Sequence, residues 1–216
     1  MAEERAQRRL AAILAADVVG YSRLMEQDEA GTFDRLRAHL KELFEPEIAK
    51  YQGRIFKLMG DGVLAEFASV VDAVECAVIL QHGMTERNAS LADVQRIEVR
   101  MGINLGDVIV EGEDLHGEGV NIASRLQQLA EPGGICVSGK VAKEVEKKLA
   151  FGFQPMGEQR VKNIAEPIPA FRVKLDRPPT RRSAMRRGIL WWQAVAAVLV
   201  AIIVNAGTWP LRACVP

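Results

Sequence analysis

Leu10-Ala11-Ala12-Ile13-Leu14-Ala15-Ala16-Asp17-Val18-Val19-Gly20-Tyr21-Ser22 is the stretch on which the fold turns. Its apolar run shows no alternation, the pattern of a strand buried in the middle of a sheet, and Asp17 closes it. Working outward, residues 24–49 read as one helix, with Leu36, Leu40, Leu43 and Phe44 on a stripe and Pro46 near its end. Residues 54–59 and 63–67 read as two short strands joined by Gly60-Asp61-Gly62, a hairpin signal. Ser69, with Asp72 three positions on, opens a second helix in which Ala73, Val74, Ala77, Val78 and Gln81 follow helical spacing. Residues 97–110 predict a strand pair broken near Gly106-Asp107, and 120–129 a helix stopped before Pro132-Gly133-Gly134. A strand at 135–138, a helix at 141–149 and a last strand at 171–175 complete the pattern. Strand, helix, two strands, helix, strand is the order of a ferredoxin-like α/β sandwich, here with additions, in the α+β class.

The chain has 216 residues, 49% hydrophobic and 26% charged, enough apolar surface for one principal domain with a core. Lys+Arg and Asp+Glu both number 28, yet residues 1–175 carry 22 basic and 27 acidic side chains, a net of −5. An acidic globular part argues against nucleic acid as its partner. Cys76, Cys136 and Cys214 lie far apart without metal-ligand spacing, which points to a reducing compartment. The N-terminal MAEERAQRR has no apolar signal core, and no sensor domain is recognisable before Leu10.

Residues 188–211 contain no charge, and about 36 Å of helix from 24 residues would cross a hydrocarbon core of roughly 30 Å. Trp191 and Trp192 at one end and Trp209 at the other suit the two interfacial belts, and Arg181, Arg182, Arg186 and Arg187 place the preceding domain in the cytoplasm. The expected organisation is a domain at 8–175, a basic Pro-containing linker at 176–187, a single transmembrane helix at 188–211 in a bacterial inner membrane, and a short tail at 212–216. A buried core helix is the competing reading of 188–211.

Three groups of side chains carry chemistry. Asp17 at a strand end and Asp61 at a hairpin tip make a hard-oxygen pair for Mg²⁺ or Mn²⁺ if their strands are neighbours; separately, each reads as a turn or cap residue. Asn121 and Arg125, four apart on one helix face, suit a ribose and a phosphate, or form a solvated surface. Asp114 opens the Asp-Leu-His-Gly-Glu-Gly segment before them.

Together these residues strongly resemble the class III adenylate/guanylate cyclase catalytic domain, over about residues 8–175. The resemblance implies a site holding two metal ions on Asp17 and Asp61, with Lys57 and Asp114 selecting the purine. It makes Asn121 and Arg125 the catalytic pair that orients the ribose and steadies the transition state. Lys162, followed by Asn163 where the family often has glycine, corresponds to the lysine on the terminal phosphates. The backbone amides of Val18, Val19, Gly20, Tyr21 and Ser22 are expected to cradle phosphates where the helix opens. The implied reaction is cyclisation of ATP to 3′,5′-cyclic AMP with release of pyrophosphate, in a homodimer whose two sites are each shared between protomers.

Base choice follows from hydrogen-bonding chemistry. Adenine offers an acceptor at N1 and a donor at its 6-amino group, which a Lys donor and an Asp acceptor match; guanine presents the reverse. Lys57 and Asp114 therefore favour ATP over GTP. Competing readings are a membrane-tethered dimerisation or nucleotide-sensing module that no longer turns over, and a guanylate or other nucleotidyl cyclase. His39, His82 and His116 read as surface or satisfied histidines, Cys76 and Cys136 as core, and Met25, Met59, Met84 and Met101 as core packing.

Overall fold

The computed structural model describes residues 7–162, 164 and 166–175. The linker, the transmembrane segment and the tail expected at 176–216 lie outside the described residues. Among the described residues no helix is long and apolar enough to cross a membrane.

The opening stretch forms β1 (Gln7–Val18), and its burial runs unbroken from Ala11 to Ala16, as a strand covered on both faces must be. It pairs antiparallel with β3 (Gly62–Phe67) on one side and β4 (Val99–Glu111) on the other. β2 (Gly53–Met59) completes the β2-β3-β1-β4 order of a ferredoxin-like core. Beyond β4 the sheet continues through β6 (Ile135–Ser138), β8 (Ile168–Lys174) and β7 (Gly152–Gln159), while the short β5 (Asp114–His116) folds back on β4.

Even-numbered residues of β1 (Ala12, Leu14, Ala16, Val18) enter the larger core cluster with Ala73, Val74, Ala77 and Val78 of α4 (Val70–Asn88). Odd-numbered Ala11, Ile13 and Ala15 pack instead with Leu115, Val120 and Ala123, the last two on α5 (Glu118–Leu129). The period-two pleat thus commits one strand to two cores. α5 approaches β4 so closely that a Cβ on Gly102 would stand 2.2 Å from both the Ala123 carbonyl oxygen and the Gln127 nitrogen. Glu66, buried in β3, is neutralised by Arg9 and Arg54.

The structure corrects several sequence expectations. Residues 24–49 are not one helix: α1 (Tyr21–Gln27) stops at Asp28, whose carboxylate accepts from the Gly31 amide 2.9 Å away and starts α2 (Glu29–His39). A π-helical turn, Leu40–Phe44, then leads into α3 (Glu45–Lys50). Pro46 explains the widened turn, because its ring excludes an α-helical bond to the carbonyl four residues earlier. β4 runs straight through Gly106-Asp107, paired with β1 from Val99 to Val110. Gly106 marks helix contact, since a Cβ there would lie 3.1 Å from the Gly119 Cα. β5 and β7 were not expected; β7, with mostly exposed residues, has no apolar run to announce it. The helix expected at 141–149 is the shorter α6 (Gly139–Val145).

Candidate active site

Antiparallel register brings Asp17 opposite Gly62 on β3 and opposite Arg100 on β4. The turn after β2 places Asp61 beside it, with Gly60 supplying a positive φ of 61°. The Asp61 carboxyl is held above the usual carboxylate range, first by burial and next by the negative charge and hydrogen bond of Asp17. Arg100 Nη2 lies 3.0 Å from Asp17 Oδ2, and Gln127 Nε2 donates to the same oxygen at 3.3 Å. Arg100 Nε is buried and makes no hydrogen bond, so this guanidinium is only partly satisfied. Two acids sharing one arginine form a pocket short of positive charge.

On the α2 side these acids border a small cavity of about 60 Å³, open to solvent and lined also by Leu36, His39, Leu40 and Met84. His39 is only 6% exposed; its Nδ1 faces Arg87 at 3.4 Å and its Nε2 has no partner. Burial, then the Arg87 charge, pushes its pKa down. The expectation of a surface or satisfied histidine therefore fails at His39, as it does at His82, whose Nε2 is also buried and unpartnered.

The second set is built on the other core. Arg54 donates to the Glu113 carbonyl at 2.8 Å, fastening the β4–β5 turn to β2. Lys57 Nζ and Asp114 Oδ2 consequently meet at 2.5 Å, while Asp114 Oδ1 accepts from the Leu115 amide at 2.8 Å. The Lys57 hydrogen bond above all keeps the Asp114 carboxyl below its ordinary range. His116 Nε2 faces Asp114 Oδ2 at 3.6 Å and Glu111 Oε2 at 3.4 Å.

Asn121 and Arg125 stand one turn apart on α5, Asn121 exposed and Arg125 bonded at 3.1 Å to Gln128 Oε1. Lys162 is exposed between β7 and β8. Of the five amides expected to cradle phosphate, that of Val19 is committed to the Glu98 carbonyl at 2.8 Å. Gly20 has a left-handed φ of 66° and caps α1 without a side-chain bond, leaving Tyr21 and Ser22 in the first turn.

The structure thus joins Asp17 to Asp61 and Lys57 to Asp114. Among the described residues no hydrogen bond or ion pair links the two sets, and the cavity beside the acids is lined by none of Lys57, Asp114, Asn121, Arg125 or Lys162. Sequence reasoning missed Arg100, Gln127 and the contact of His116. Arg100 had a signal: it is the one cation inside the apolar run of β4. Gln127 had none, because its contact depends on helix-to-sheet packing. Met59 is 47% exposed beside the acids, not core; Met84, Met101, Cys76 and Cys136 are core, and burial pushes the Cys136 thiol up to about 11.

Comparison with known proteins matches residues 4–174 to the adenylate and guanylate cyclase catalytic domain family. A Rhizobium meliloti protein carrying a provisional adenylate cyclase name is 51% identical over 168 residues, covering 78% of this chain and 29% of that protein. An adenylate cyclase of Streptomyces coelicolor is 35% identical over 150 residues, covering 66% of this chain and 36% of its own. The chain therefore spans about a third of the length of these relatives. Among solved structures, an adenylate/guanylate cyclase/hydrolase from Silicibacter pomeroyi is 43% identical with a TM-score of 0.74, covering 78% of this chain and 98% of that one. An adenylyl cyclase from P. aeruginosa is 25% identical with a TM-score of 0.70, covering 82% and 99%.

Proposed function

The chain belongs to the family of adenylate and guanylate cyclase catalytic domains, and on that premise we propose that it is an adenylate cyclase, converting ATP to 3′,5′-cyclic AMP and pyrophosphate. The observation that carries the choice of base is the Lys57–Asp114 pair, a donor and an acceptor held side by side to match the N1 and 6-amino edge of adenine.

The acid pair fits divalent metal ions: two hard-oxygen carboxylates are crowded together, and burial, then the Asp17 charge, already raises Asp61. Asp17 and Asp61 would hold the ions; Mg²⁺ or Mn²⁺ bound there supplies Lewis acidity to the ribose 3′-hydroxyl and the triphosphate oxygens. The 3′-oxygen attacks the α-phosphorus in line with the departing pyrophosphate. Arg125 donates to the charge that grows on the α-phosphoryl oxygens, and Asn121 fixes the ribose so that the attack is aligned. Lys162 neutralises the terminal phosphates, and the amides of Gly20, Tyr21 and Ser22 approach them from the opening of α1.

The site is shared between two copies. One protomer supplies Asp17 and Asp61, and its partner supplies Lys57, Asp114, Asn121, Arg125 and Lys162. The cavity beside the acids, which none of those partner-side residues lines, supports this division. A two-fold homodimer repeats the arrangement twice. Residues 188–211 anchor the dimer in a membrane with the catalytic part in the cytoplasm, a reading supported by their freedom from charge and the arginines before them. The deciding experiment incubates the full chain with ATP or GTP and Mg²⁺ or Mn²⁺ and identifies products. Cyclic AMP as the dominant product is expected; cyclic GMP in excess, or no cyclic product from either nucleotide, would overturn the reading.

A further inference from the structure

His116, a titratable side chain beside the base-selecting pair, has no task in the proposed chemistry. It sits on β5 opposite Ile109 of β4, half exposed, where its Nε2 reaches both Asp114 Oδ2 at 3.6 Å and Glu111 Oε2 at 3.4 Å. The charged groups about it are Glu111 on β4, Asp114 on its own strand and, through Asp114, Lys57 on β2. It has two carboxylates for neighbours and a cation only beyond one of them.

Asp114 Oδ1 accepts from the Leu115 amide, and Oδ2 is the oxygen that Lys57 holds and that faces His116. Each oxygen keeps one further lone pair, and the one on Oδ2, beside the Lys57 donor, is the acceptor that pairs with Lys57 to match adenine's N1 and 6-amino edge. A neutral imidazole leaves that oxygen to Lys57 and the base. An imidazolium is a second cation on the same atom, and it competes with the amino group as a donor. It also reverses the local code, because a donor at the 6-position is what the guanine O6 requires.

We propose that His116 is a specificity-determining residue of the purine site, whose protonation takes up the Asp114 carboxylate and weakens selection of ATP over GTP as pH falls. The proposal rests on the adenylate cyclase reading above and adds to it a residue and a direction. The effect enters through nucleotide binding, so it appears in KM and leaves kcat for ATP with the pH dependence of the acid pair.

The test measures kcat and KM for ATP and for GTP between pH 5.5 and 8.5 in the full chain and in His116→Asn and His116→Phe. A partly exposed ion pair is worth at most about 1 kcal/mol, so the wild-type preference for ATP is expected to shrink up to about fivefold across this range. Both variants should hold a constant preference. A wild-type preference that ignores pH, or one that falls equally in both variants, overturns the proposal. Nucleotide affinity supplies a readout independent of turnover: ATP binding should weaken from pH 8 to pH 6 in the full chain and not in His116→Phe, and equal weakening in both counts against the contact. If neither nucleotide is turned over, the function reading fails by itself; ATP and GTP affinities at pH 6 and 8 then decide on His116.

Discussion

The acid pair and the purine wall are electrostatic opposites. Asp17 and Asp61 put like charges together, and the Asp61 carboxyl rises, through burial first and the Asp17 charge second. Lys57 and Asp114 put unlike charges together, and the Asp114 carboxyl falls. The contrast teaches that two parts of one fold face different costs: the acids are held together against burial and repulsion, whereas the Lys57–Asp114 pair is closed on itself, so a base bound as proposed must open it against attraction.

The largest expected effect breaks the first half outright. Asp17→Ala removes a ligand for both ions, and the variant should lose at least about 10³-fold in cyclase rate, as should Asn121→Ala through lost alignment. Mixed in equal amounts, the two chains should regain about a quarter of the wild-type rate, because half of the dimers contain one intact site. No recovery from mixtures shown to be paired and folded would end the shared-site account.

Gly102→Ala attacks what both regions lean on, the seat of α5 on β4. Its methyl group would collide with α5 backbone, which cannot rotate away, so chemical denaturation should show a loss of about 3 kcal/mol or a chain that does not fold. Normal stability would mean that α5 is less tightly seated than Gly102 implies.

Asp114→Asn sharpens the second half. An amide can present a donor where the carboxylate only accepts, so the ratio of kcat/KM for ATP to that for GTP should drop about tenfold or more. An unchanged ratio would remove Asp114 from base selection.

The smallest effects are in stability, and they carry opposite signs. Asp61, raised in the fold, contributes stability below the ordinary carboxylate range that is lost as pH climbs through its raised value. Asp114, lowered in the fold, contributes stability above the ordinary range that is lost as pH falls through its lowered value. In metal-free thermal melts at pH 7, Asp61→Asn should raise Tm and Asp114→Asn should lower it, both differences fading toward pH 3. Shifts of the same sign would erase the contrast between the two regions.

Much of the fold is readable from local rules. The unbroken apolar run at β1, the glycine turn at Gly60 and the serine cap at Ser69 each act over a few residues, and each appears where the pattern places it. The broken helix at Asp28 is local too, yet a helical stripe hides it, since Leu24 and Leu36 face the core on both sides of the break. β7 was illegible because an edge strand buries little and shows no apolar period. Resemblance to a known family named Asp17, Asp61, Lys57 and Asp114, which the structure brings together two by two; it did not name their neighbours Arg100 and Gln127.

By itself the sequence determined that β1 is a buried inner strand, and it named the carboxylates, the lysines and the helix face on which the proposed nucleotide site rests. Only the tertiary structure decided that Arg100 and Gln127 bond to Asp17, that Lys57 bonds to Asp114, and that His116 faces Asp114 at 3.6 Å. The physical reason is separation along the chain. Spacing encodes neighbours within a turn or a hairpin, whereas Asp17 meets Gln127 and Lys57 meets Asp114 only after strands register and a helix docks. No local period records where those contacts fall.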